Sequence, residues 1–70
     1  MKNRIKSLRN NVNMTQQQLA DLVLVSSRTI ISLEKGQYNP SVLLAYNIAQ
    51  VFNISIEDLF IFKEEHENEE

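Results

Sequence analysis

The stretch Met14-Thr15-Gln16-Gln17-Gln18-Leu19-Ala20-Asp21-Leu22-Val23-Leu24-Val25-Ser26-Ser27-Arg28-Thr29-Ile30-Ile31-Ser32-Leu33-Glu34-Lys35-Gly36 contains two helix start signals in close succession. At the first, Thr15 is a capping residue, Gln18 three positions on completes a capping box, and Met14 and Leu19 occupy the two positions of a hydrophobic staple. At the second, Ser26 is flanked by Val25 and Ile30 at the same staple spacing, and Gly36 supplies a C-terminal stop. The spacing predicts one helix from residue 15 to about 23 and another over about 27–35. Only about three residues separate them, which is the geometry of a helix-turn-helix.

Outward from this pair, Ile5, Leu8 and Val12 recur at helical spacing and predict a first helix over about 2–11. Lys2, Lys6 and Arg9 form a separate stripe on it, read as a solvated basic face. Downstream, 37–41 reads as a loop. Asn39-Pro40-Ser41 opens a fourth, strongly apolar helix to about residue 52. A fifth, short helix starts at Ser55, with Glu57 and Asp58 in its first turn, where the helix dipole favours them, and Ile54 and Leu59 as a third staple. With one Gly, one Pro and no Trp in 70 residues, the composition fits an all-α fold of short helices around aliphatic side chains. The chain is read as one domain over 1–63, followed by a disordered acidic tail over 64–70 that holds five glutamates.

Net charge is −2, but its distribution is uneven. Residues 1–37 carry Lys2, Arg4, Lys6, Arg9, Arg28 and Lys35 against Asp21 and Glu34, a net +4; residues 38–70 carry Lys63 against seven acids, a net −6. Such asymmetry points to a basic working face and an acidic terminus. There is no cysteine, so neither disulfides nor a thiolate metal site can supplement a small core. No apolar run reaches the length of a signal peptide or a membrane span, and the expected location is cytoplasmic.

On the helix predicted over 27–35, Ile30 and Leu33 share the face that must look inward, which leaves Ser27, Arg28, Ile31 and Ser32 on the opposite one. The second helix of a helix-turn-helix can lie in the major groove of DNA. Arg28 can pair bidentately with guanine, Ser27 and Ser32 can form single hydrogen bonds, and Ile31 can meet a thymine methyl. Helix N-termini, with Gln16, Gln17, Ser26 and Thr29 beside them, are suited to phosphates, and Lys35 and Gln37 extend that footprint.

Taken together, the string from Met14 to Ala20, then Val25-Ser26, Thr29-Ile30, Leu33-Glu34, Gly36 and Tyr38-Asn39-Pro40-Ser41 resembles the Cro/C1-type, or XRE, family of helix-turn-helix regulators over about residues 3–60. The resemblance implies a five-helix, lambda-repressor-like DNA-binding domain. It also implies that Ala20 is the small residue where helices 2 and 3 cross, Glu34 a structural acid, and Gln16 a phosphate contact. The segment Ser55-Ile56-Glu57-Asp58-Leu59-Phe60 resembles the family's fifth helix, which often takes part in dimerisation. Two positions depart from the pattern. Leu24 stands where the family commonly has Gly in the turn, at an expected cost of about 1 kcal/mol. Ser27-Arg28 stands where Arg-Gln is common, so no base preference carries over.

The expected function is that of a sequence-specific transcriptional regulator, most simply a repressor, binding a near-palindromic double-stranded operator as a homodimer. The dimer seam is expected at Leu59, Phe60, Ile61 and Phe62, with Val51 as a further candidate; the alternative is that the apolar triplet 60–62 folds back as core. The acidic tail reads as a solubility device or as a competitor for the basic face. No cofactor, metal or small-molecule ligand is expected, and His66 lacks a second ligand. There is no cysteine nucleophile, no glycine-rich phosphate loop and no pair of carboxylates on one ordered face, which argues against an enzyme. The alternative class is a protein-interaction module, such as an antitoxin that autoregulates its operon, although no long toxin-binding extension is present.

Overall fold

The computed structural model describes residues 1–61; Phe62 and the acidic run 64–70 lie outside the described residues. Five helices follow one another: α1 (Ile5–Asn11), α2 (Gln16–Leu22), α3 (Ser27–Glu34), α4 (Val42–Val51) and α5 (Ile56–Leu59). The fold is all-α, as the sequence predicts.

The last four helices begin on the capping residues read from the sequence. Thr15 forms the full capping box with Gln18, while Ser26, Ser41 and Ser55 accept from the backbone N–H three residues on. Each satisfies a donor that the first turn leaves unpaired. The first helix is shorter than predicted. Asn3 diverts the chain: its Oδ1 accepts from the Ile5 N–H at 3.1 Å, and its Nδ2 donates to the Leu33 carbonyl at 2.8 Å. A short polar side chain that bonds locally to the backbone competes with helix formation in this way. Residues 2–4 instead run antiparallel to 59–61, where Arg4 N donates to Leu59 O and Ile61 N to Lys2 O, each at 2.9 Å.

Helices α1 to α4 end alike. In each, a residue with positive φ follows the C-cap (Asn13, Leu24, Gly36 and Asn53), and the next N–H bonds back to the carbonyl five residues earlier, as Val25 N does to Ala20 O at 3.0 Å. This is the Schellman closure. Asn and Gly tolerate the left-handed region, whereas Leu24, at φ 60, does not tolerate it readily and is 90% exposed, so burial returns nothing for the strain.

One core holds the helices together, with Ile5, Leu19, Ile30, Leu33, Ile48 and Leu59 fully enclosed. The principal packing is α2 on α3, with Ala20 buried between them as the small residue of the crossing, and α4 on α5. Leu59 and Phe60 are part of this core, so the structure takes the fold-back reading for those two residues and removes them from the surface where a dimer seam was expected. Phe60 is held there by its pairing with Asn3. Ile61 is half-buried.

Candidate nucleic-acid interface

The candidate interface is built on α3, whose orientation is set by its apolar stripe. Ile30 and Leu33 are completely buried, which turns the opposite side of the helix outward. Arg28 is exposed there, with Ser27, Ile31 and Ser32 partly exposed around it. Ile31 lies outside the hydrophobic core cluster and keeps part of its apolar surface exposed. Arg28 makes no ion pair among the described residues. Its five donors in a planar fork are thus free of internal claims.

The flanking residues are arranged unevenly. Ser26 and Thr29 bond to each other through their hydroxyls at 3.2 Å, and Ser26 Oγ also caps α3 by accepting from Thr29 N. Gln17 is exposed but its Nε2 donates to Asp21 Oδ1 one turn on, at 2.8 Å. Lys35 and Gln37 are exposed on either side of Gly36, which closes α3. Ser26 and Thr29 therefore lie at the start of α3, Lys35 and Gln37 at its end and Gln17 on α2, while Ser27, Arg28, Ile31 and Ser32 occupy the outer face of α3.

Gln16 is tied inward. Its Nε2 donates to Glu34 Oε1 at 3.1 Å, and Glu34 in turn receives Arg9 as a fork, Nε to Oε2 at 2.7 Å and Nη2 to Oε1 at 3.1 Å. The third guanidinium nitrogen, Nη1, donates to the Met14 carbonyl at 2.8 Å. Arg9 and Glu34 side chains are only 9% and 5% exposed. The hydrogen bond to Glu34 raises the Arg9 pKa above its already high ordinary value, against the desolvation that lowers it, and the Glu34 charge adds to the rise. One buried network thus joins α1, the start of α2 and the end of α3, and it fixes how the candidate reading helix is presented.

This corrects the reading of Arg9 as part of a wet basic stripe; Lys2 and Lys6 are exposed, but Arg9 is interior. Sequence periodicity misassigned it because an arginine counts as polar, and only the approach of α3 brings its partner within reach, 25 residues away. Glu34 was flagged as a structural acid by resemblance, yet nothing in the local pattern names Arg9 as the residue it pairs with. The other residue the sequence undervalued is Asn3, which ties the first residues to the end of α3.

No helix among the described residues is long and apolar enough to cross a membrane. They also hold no cluster of His, Cys, Asp or Glu suited to a metal ion.

Comparison with known proteins agrees with the geometry. The helix-turn-helix family model matches residues 5–59. An HTH-type transcriptional regulator of Archaeoglobus fulgidus is 60% identical over 65 residues, covering 93% of this chain and 92% of its own length. The competence pilus inhibition repressor of Acinetobacter baylyi is 35% identical over 93% of this chain and 59% of its own. Among solved structures, the restriction-modification controller protein C.AhdI of Aeromonas hydrophila superposes with a TM-score of 0.74 at 28% identity, over 81% of this chain and 86% of that one. Matched along nearly its whole helical part by sequence and by structure, the chain belongs to the Cro/C1-type (XRE) helix-turn-helix family of transcriptional regulators, a class that binds DNA and does not perform catalysis.

Proposed function

We propose that the chain represses transcription by binding a near-palindromic double-stranded operator as a homodimer, reading the major groove with the outer face of α3. The observation that carries this reading is Arg28, exposed in the first turn of α3 and without an ion pair among the described residues, with Ser27, Ile31 and Ser32 around it. A guanidinium in that setting fits guanine O6 and N7, and the half-buried Ile31 fits a thymine methyl. Gln17, Ser26, Thr29, Lys35 and Gln37 serve the DNA backbone, positioning the helix without specifying sequence, and Gln16, whose amide is tied to Glu34, does so with its second N–H. Lys35 neutralises a phosphate directly, so affinity falls as salt rises. Repression is supported by the Acinetobacter relative, whose name describes it as a repressor. A homodimer implies half-sites about one turn of DNA apart.

Selection of bound duplexes from a random pool tests the whole reading. The expected result is a two-fold symmetric motif with guanine in each half-site, whose selection disappears for Arg28→Ala. An enriched motif that Arg28→Ala selects equally well would take base reading away from α3. Failure to enrich any motif, together with a stoichiometric protein partner in a pull-down, would favour the protein-interaction module instead.

A further inference from the structure

The outer surface of α4 has no part in the interface on α3. Leu44, Ala45, Ile48 and Ala49 turn inward and are buried. On the other side Val42 is 80% exposed, Leu43 68% and Tyr46 50%. Three large apolar side chains within two turns of one helix make a contiguous patch rather than scattered surface hydrophobics. Beside Val42 lies an apolar groove of about 160 Å³ walled by Pro40, Ile56 and Phe60.

We propose that this face of α4 is where two copies of the chain meet. The inference rests on the homodimer reading above and moves its seam from the segment 59–62 to α4. Charge identifies the occupant. No residue from Gly36 to Ile56 is charged, and α4 is the one helix of the five without a charged residue. A two-fold contact sets a patch against itself, so a charge near the axis faces its own copy and a charge away from it needs an opposite one elsewhere on the patch. The other helices carry charges, Lys6 on α1, Asp21 on α2, Arg28 on α3, and Glu57 with Asp58 on α5, whereas α4 meets its own copy with no charge to repel and none that needs a partner. The same neutrality leaves nothing to attract nucleic acid or a charged peptide.

Size requires more of this face than the three side chains alone. The three side chains offer on the order of 400 Å² per copy, half of the roughly 800 Å² that a standard interface takes from each partner. The groove beside Val42 and the neutral amides Asn47 and Gln50 on the next turn enlarge the patch. Amides act as both donors and acceptors, so the same residue pairs with itself across a two-fold.

The test is sedimentation equilibrium of the full chain from micromolar to millimolar concentration, with circular dichroism of each variant. Wild type is expected to dimerise. Leu43→Glu is expected to raise the dimer dissociation constant roughly 30-fold or more while keeping helical content, since its site is already exposed. Tyr46→Ala should act in the same direction, and Leu22→Glu, on an exposed apolar residue of α2, should have no effect. A dimer that survives Leu43→Glu and Tyr46→Ala but dissolves with Ile61→Glu overturns the α4 seam and leaves the homodimer standing. A wild type that is monomeric throughout, and that binds a half-site as a single copy, overturns both.

Discussion

The two ends of the chain are held together by opposite means. In α1 to α3 a buried fork of Arg9 on Glu34, with Gln16 and the Met14 carbonyl attached, locks three helix ends. In α4 and α5 no charge enters the interior, and the helices close on Leu44, Ile48, Ala49, Leu59 and Phe60. The difference teaches where precision is needed. A polar network has one satisfactory geometry, because each buried donor and acceptor must find its partner, whereas aliphatic contacts tolerate small shifts. The half that presents α3 has the directional lock; the other supplies bulk apolar burial.

The largest effect expected from breaking this contrast is at the lock. Glu34→Ala strands a buried guanidinium and should cost about 3–5 kcal/mol. In a domain this small that is most of the stability expected, so urea titration should show a folded fraction already reduced in buffer alone. A loss below about 1 kcal/mol, the size of a surface ion pair, would mean the network does not hold the helices.

Next in size is Arg28→Ala, which sharpens the distinction between the two arginines. It should weaken specific DNA binding by roughly 1–3 kcal/mol and relax one base position, with the unfolding midpoint unchanged. Fluorescence anisotropy on the selected duplex, set beside thermal melting, separates the two readouts. Equal losses in binding and stability would make Arg28 a second structural arginine.

Ser41→Ala probes the uncharged half. Ser41 Oγ accepts from Leu44 N at 3.1 Å, so its removal should cost about 1 kcal/mol through the α4 cap, seen in chemical denaturation. The smallest effect concerns Leu24, where substitution should stabilise. Leu24→Gly relieves the positive φ at the turn and should gain about 0.5 kcal/mol after the added flexibility of the unfolded chain is counted. A melting temperature that falls instead would show that Leu24 is held by a contact that its 90% exposure conceals.

Much of the fold was legible because the signals involved are local. A serine or threonine that caps its own first turn acts within three residues, and a staple spans five, so Thr15, Ser26, Ser41 and Ser55 announce their helices without reference to the rest of the chain. The outer face of α3 was legible for the same reason, since Ile30 and Leu33 define its opposite side. The start of α1 was not, because Asn3 bonds to Leu33, 30 residues away. The burial of Leu59 and Phe60 was not legible for a related reason: an apolar run reads the same whether it seals its own core or meets a second copy.

Taken by itself, the sequence determined the number and type of the elements, the caps that start them and the residues facing outward on α3. Each of these follows from interactions within a few residues. Only the tertiary structure decided which arginine is interior and which is available, because Arg9 and Arg28 are chemically identical until α3 brings Glu34 to one of them. It likewise decided that Leu59 and Phe60 lie in the core while Val42, Leu43 and Tyr46 remain outside it. Burial is a property of what packs against a residue, and that is set by partners far away along the chain.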